Sequence, residues 1–168
     1  EAFGWDLQLQ WQATEGLALN FNSQYIDQTY KNYTTSDGDD LSGQATGLPE
    51  WSIATGGSYT WQFENASQLQ FGLMYSYRSA SRCNDASQSQ GNCQVTVNFD
   101  TGVAQNRTDA RLQWTSPTDS WSTSLWVRNA FDEQYIGGVG GLTTNVFGTP
   151  FSSLSEPRQY GLEVGYQF

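Results

Sequence analysis

Histidine is absent from the 168 residues, which removes imidazole metal ligands, histidine-based nucleophile triads and His acid–base pairs together. Positive charge is sparse: seven Lys and Arg, scattered along the chain, face seventeen Asp and Glu for a net charge of −10. Phosphate neutralisation needs clustered cations, so nucleic acid is excluded as a partner. No run approaches the ~18 consecutive apolar residues that a spanning helix requires. The first ten residues, EAFGWDLQLQ, carry neither an initiator Met nor a leader pattern. A Gly-Lys-Ser/Thr phosphate loop is missing, and the glycines of IGGVGGLTTNVFGTPFSS lack the strand-to-helix setting of a nucleotide fingerprint. Nor do two carboxylates stand out as a glycosidase pair. The chain is therefore read as a non-enzyme with no cofactor.

Only two cysteines occur, Cys83 and Cys93 in CNDASQSQGNC, between strand-like segments. With no further soft or imidazole ligand nearby, a loop-closing disulfide is expected, in an oxidising compartment. In the chain-entropy description it stabilises by about 2–4 kcal/mol.

What the chain does have is aromatic surface. Seven Trp, nine Tyr and nine Phe carry much of its apolar content, while Leu, Ile and Val are few. Such residues suit strands and membrane interfaces better than helices. Period-2 alternation recurs in seven segments, roughly 4–12, 17–27, 51–61, 67–77, 104–114, 121–129 and 159–168. Each approaches the ~9–11 residues of a tilted membrane-crossing strand. In the first, Trp5, Leu7, Leu9 and Trp11 oppose Asp6, Gln8 and Gln10; in the fourth, Leu69, Phe71, Leu73, Tyr75 and Tyr77 oppose Gln70, Gly72 and Ser76. Ile26, Met74 and Trp126 break the pattern by falling on the polar side.

Connections alternate too. ATEG, ENAS and SPTDS are short, whereas 28–50, 78–103 and 130–158 are long and polar. Trp11, Trp61, Trp114 and Trp121 gather at the short-turn end, and Trp5, Tyr25, Trp51, Tyr75, Tyr77 and Tyr160 at the other, as two interfacial girdles. The fold class expected is all-β, an antiparallel up-and-down transmembrane β-barrel. A soluble sandwich would pair Val, Ile and Leu inside with Lys and Glu outside, whereas here the polar face is Ser, Gly, Gln, Asn and Thr, as a watery lumen requires.

By parity Asp6, Arg78, Asp109, Arg111, Arg128 and Glu163 face that lumen, where they pair across strands, meet water or line a ligand path. Trp126 joins them unless a bulge turns it outward. Bacterial single-chain barrels have an even strand count with both termini at the short-turn rim. Seven strands ending at Phe168 put Gly4 at the long-loop rim instead, so the expectation is a partial barrel, about seven or eight strands of a larger one. A strand hidden in 95–103 restores an even count.

The last forty residues sharpen this. WSTSLWVRNAFDEQYIGG, a long loop and PRQYGLEVGYQF resemble the C-terminal end of TonB-dependent outer-membrane receptors, through Asn129, Phe131, Asp132, Tyr135, Pro157, Arg158, Tyr160, Gly161 and Phe168. Upstream, Gly43, Leu48, Pro49 and Trp51 resemble the same family's approach to a descending strand. The resemblance implies a 22-stranded barrel around an N-terminal plug, importing a scarce siderophore, vitamin or oligosaccharide. On that view residues 1–168 are about the final third of the barrel, without the plug, in the bacterial outer membrane. The partners implied are membrane lipid, the remaining strands and plug of the same receptor, TonB through that plug, and the barrel assembly machinery. Tyr160, Leu162, Val164, Tyr166 and Phe168 resemble the C-terminal assembly signal of such barrels, facing lipid.

Ligand-contact candidates in the outer loops are Tyr33, Asp37, Asp39, Asp40 and Phe147. The three aspartates lack EF-hand spacing and a terminal Glu, so a solvated acidic loop is expected and no metal site. Two competing readings are a secreted carbohydrate-binding β-sandwich with aromatic stacking platforms and a complete small barrel serving as adhesin or anchor.

Overall fold

Strict alternation leaves each strand one apolar edge and one polar edge, and pairing neighbours in register gathers each kind on its own face. In the computed structural model, which describes residues 1–84, 93, 101–139 and 152–168, this has happened over one seven-stranded antiparallel sheet. Its strands are β1 (Ala2–Gln12), β2 (Leu17–Gln28), β3 (Trp51–Gln62), β4 (Gln68–Arg78), β5 (Gln105–Thr115), β6 (Trp121–Arg128) and β9 (Gln159–Tyr166), each beside its predecessor in the sheet. Two further strands, β7 (Ile136–Val139) and β8 (Ser152–Leu154), form a separate small sheet inside the last long connection. That pair was not foreseen in a segment so rich in glycine. Tyr135 and Ser155 fasten its base: each backbone N–H donates to the other residue, to the Ser155 hydroxyl at 2.9 Å and to the Tyr135 carbonyl at 2.8 Å. Residues 95–100 lie outside the described chain.

The register is continuous from β1 to β9 through every main-sheet pair. One face therefore presents Trp5, Leu9, Phe21, Trp51, Tyr59, Phe71, Leu73, Leu112, Leu125 and Leu162, and the other Gln8, Asn22, Ser52, Ser76, Arg107 and Glu163. Trp126 opposes Arg111 and Gly161 with no bulge, so it belongs to the polar face. Among the described residues only Leu41 and Cys93 are buried apolar ones, and both lie in long connections. No second sheet covers the apolar face among the described residues, which leaves Trp11 65% and Tyr160 80% exposed. A β-sandwich requires such a covering sheet.

Tight turns close one rim. Asn65 Oδ1 accepts from the N–H and hydroxyl of Ser67 at 3.0 and 2.7 Å, with Ala66 at φ 63°. Ser116 accepts from Trp121 N through its hydroxyl at 2.9 Å and from Asp119 N through its carbonyl at 3.0 Å. Near the chain end Gln167 N donates to Ser120 O in this same rim. Glu1 is at the opposite rim, its ammonium on Thr29 O at 2.8 Å. The three long connections leave from that rim as well, and β1 and β9, the two open edges, run in the same direction.

Candidate functional site: the polar face and its outer rim

Two cavities lie on the polar side, and another of about 610 Å³ lies on the apolar face against Phe71, Leu112, Leu125, Tyr160 and Leu162. On the polar side, one of about 760 Å³ takes residues from β1, Gln10 and Gln12, through to Glu163 of β9, so the polar face is the concave one. A second, about 540 Å³, sits nearer the long connections and is lined by Asp6, Gln24, Ser52 and Arg78 together with Glu133 and Glu156 of the last loop.

Every inward candidate from the sequence lands on this face, but its charges are unevenly paired. Arg111 reaches Glu163 across β6 at 2.8 Å and the Ser124 hydroxyl at 2.9 Å. Arg107 bonds Asp109 at 2.9 Å and lies 3.9 Å from Glu156. The parity argument had omitted Arg107, although it alternates with Asp109 and Arg111 along β5. Arg128 places its guanidinium 5.3 Å from the Trp126 ring centroid. Asp6 and Arg78 have no hydrogen-bond or ion-pair partner among the described residues.

Trp126 explains a glycine. Its ring lies on the backbone of Gly161, where an added Cβ would stand 2.5 Å from Cζ2 and 2.8 Å from Cε2. Any side chain at this position would displace the ring. The indole Nε1 is buried and has no hydrogen-bond partner among the described residues.

At the outer rim, Asn129, Asp132, Tyr135 and Arg158 make a clasp. Asn129 is 4% exposed and held at φ 52°. Its Nδ2 donates to Glu133 O at 2.8 Å and Glu156 O at 3.1 Å, while its Oδ1 accepts from Glu133 N at 2.9 Å. Its own backbone N–H donates to Asp109 at 2.8 Å. Asp132, also left-handed at φ 57°, accepts from Arg158 N at 2.8 Å, tying the end of β6 to the start of β9. The Tyr135 hydroxyl accepts from Asn106 N at 2.8 Å and donates to Asn106 O at 2.9 Å, capping the open end of β5. Phe131, in the midst of these, is 72% exposed.

A second fastening joins the other two long connections. Arg82 bonds Asp27 and lies 2.9 Å from Glu50. The hydrogen bond to Asp27 raises the guanidinium above its ordinary value, with Glu50 adding its negative charge. Pro49 bridges Ser81, Asn84 donates to Ala45 O, and the Ser79 hydroxyl accepts from Glu50 N and Trp51 N at 3.1 and 3.0 Å. Cys83 and Cys93 are disulfide-bonded right beside Arg82, with Cα atoms 5.8 Å apart.

Among the loop candidates, Asp37, Asp39 and Asp40 belong to a small hairpin. Thr34 bridges Asp40, Gly38 turns at φ 96°, and Thr35 accepts from Asp39 N at 3.0 Å through its hydroxyl. No group of three acidic or Cys side chains converges as a metal holder among the described residues. Hydrogen bonds from the Ser42 hydroxyl and N–H hold the Asp40 carboxyl below the usual carboxylate range. Tyr33 stacks on Tyr30 at 4.8 Å and 18° between planes. Phe147 lies outside the described residues. On the apolar face at the same rim, Trp5, Tyr25 and Trp51 form a ring cluster with centroids 4.9–6.5 Å apart. At the short-turn rim Trp121 meets Tyr166 at 4.7 Å.

No protein-family model matches the sequence, and no curated protein does either. In fold, the chain is similar to the ferric yersiniabactin uptake receptor FyuA of Yersinia pestis, with a TM-score of 0.68 at 16% identity over 99% of this chain. That alignment covers 23% of the receptor's length: in fold, these 168 residues correspond to a segment of a much longer chain.

Proposed function

We propose that the chain is the C-terminal barrel segment of a TonB-dependent outer-membrane receptor. Its apolar face would meet lipid, its polar face the lumen, and its long connections the outside of the cell. The observation that carries this reading is a seven-stranded sheet, uncovered among the described residues, with an apolar face and a concave polar face, in a chain of which 99% overlaps 23% of an uptake receptor's length. In this reading the first event of import, capture of a scarce ligand by the outer loops and lumen, uses residues of this chain, with Tyr33, Asp37, Asp39, Asp40 and Phe147 as loop contacts. Plug rearrangement through TonB follows elsewhere in the receptor. Asp6, Arg78, Asp109, Arg111, Trp126, Arg128 and Glu163 line the path, and Tyr160, Leu162, Val164, Tyr166 and Phe168 form the signal for the assembly machinery.

Neighbouring residues in β4 provide the test. Leu73 and Met74 are 46% and 43% exposed but face opposite sides. An arginine at the bilayer midplane costs about 2–4 kcal/mol on a lipid-facing position and little in a lumen. Leu73→Arg should therefore deplete the protein from the outer-membrane fraction while Met74→Arg leaves it there. Equal recovery of both variants would refute the membrane reading.

A further inference from the structure

One row of the polar face crosses five strands: Asp6 on β1 opposes Gln24 on β2, which opposes Ser52 on β3, which opposes Arg78 on β4, which opposes Gln105 on β5. All five line the 540 Å³ cavity. A carboxylate stands on β1 and a guanidinium three strands away, with a carboxamide and a hydroxyl between them and a second carboxamide beyond the guanidinium. Three interstrand spacings of ~4.8 Å separate the two charges by roughly 14 Å along the sheet, so they cannot pair with each other. Elsewhere on the same face opposite charges do meet, as Arg111 with Glu163 and Arg107 with Asp109. None of the five side chains in the row has a hydrogen-bond or ion-pair partner among the described residues.

We infer that this row binds a short zwitterionic peptide laid across the strands, its ammonium on Asp6 and its carboxylate on Arg78. An extended chain spans at most ~3.3–3.6 Å per residue, so about four residues match the separation of the two charges. Arginine receives a carboxylate through two parallel N–H bonds, the geometry that a terminal carboxylate offers. Gln24 and Ser52 each donate and accept, which fits the alternating carbonyl and N–H groups of a peptide backbone. A neutral sugar would leave both charges unmet, and a simple anion would leave Asp6 facing it. The row itself holds no apolar or aromatic side chain, so contacts along it fall on the termini and backbone, while Tyr135, Glu133 and Glu156 line the same cavity to its side. The cavity volume lies within the range of small-ligand sites. This inference deepens the receptor reading and rests on it in taking the polar face as wetted.

The test is calorimetric titration of the full-length protein, isolated from the cell envelope in detergent, with tetraglycine, its N-acetylated form and its C-terminal amide. Each cap removes one end charge from the ligand, on unmodified protein, and each should weaken binding about tenfold. Asp6→Asn should erase the difference between free and acetylated peptide while keeping the difference for the amide. Arg78→Gln should do the reverse. Caps without effect, absence of tetraglycine binding, or loss of both discriminations in either variant would overturn the site. Such a failure is separable from failure of the membrane reading, because the Leu73→Arg and Met74→Arg comparison does not involve this row.

Discussion

Replacing Asn129 puts the clasp at the outer rim to a quantitative test. Asn129→Ala removes three side-chain hydrogen bonds, to Glu133 O, Glu156 O and Glu133 N, at 2.8, 3.1 and 2.9 Å. At a net ~0.5–1.5 kcal/mol for each bond, their loss costs about 2–4 kcal/mol in this nearly buried site. Alanine must also hold φ 52°, a left-handed conformation that costs a residue with a Cβ roughly 1–2 kcal/mol and glycine almost nothing. Asn129→Gly therefore reports the hydrogen bonds alone, and the gap between Ala and Gly reports the backbone. Both should act locally, because the bonds join the end of β6 to the loop rather than sheet strands to one another. Hydrogen exchange over 129–135 and 155–158 in detergent-embedded protein is the assay, with protection converted to opening free energy. Alanine should lower it by about 3–6 kcal/mol or to the limit of free exchange, and glycine by about 1–2 kcal/mol less. Alanine and glycine variants with equal protection would refute the backbone part of the reasoning. A change of under ~0.5 kcal/mol for both would refute the clasp itself.

Two further outcomes follow from particular contacts. Gly161→Val forces a side chain into the Trp126 ring and should destabilise by about 1–3 kcal/mol in a denaturant titration, as overpacking does; adding Trp126→Ala should recover most of the loss, and additive losses would count against the ring-on-glycine account. Asp40 should titrate below the ordinary carboxylate range by NMR, since Ser42 stabilises its charged form. Its depressed folded value means that the order it gives the Thr34–Ser42 hairpin is present at neutral pH and lost as pH falls through that value. Ser42→Ala should return the titration toward the ordinary range, and an unchanged titration would disprove the assignment.

The sheet was readable because its signal is local. Alternation along β4, with Leu69 to Tyr77 on one side, is complete within the strand itself, and so is the exception at Met74. Trp126 was readable as an anomaly but not as a solution, since its partner Gly161 lies on another strand. The disulfide followed from there being only two cysteines and no other ligand. Arg82 gave no sign of its role, because Asp27 and Glu50 come near it only once β2, β3 and β4 are side by side. The clasp lay between these extremes: Asn129, Asp132, Tyr135 and Arg158 stood out by resemblance, but their purpose needs two left-handed residues and a returning loop. The β7–β8 pair had no alternating pattern to announce it, with Gly137 and Gly138 at its centre.

The open strands β1 and β9 point the same way, and that imposes a symmetry on anything that completes the ring. Around a closed antiparallel sheet, directions must alternate at every step, so whatever bridges these two edges supplies an odd number of strands. A second copy of this sheet has seven, which satisfies the count only when it is inverted. Its long connections would then emerge beside the first copy's tight turns, giving an assembly with no distinct outer and inner side. A ring with all its long connections on one rim thus demands strands that are not a repeat of these, and under the proposed outer-membrane function the two unlike sides of the membrane select that solution over self-pairing.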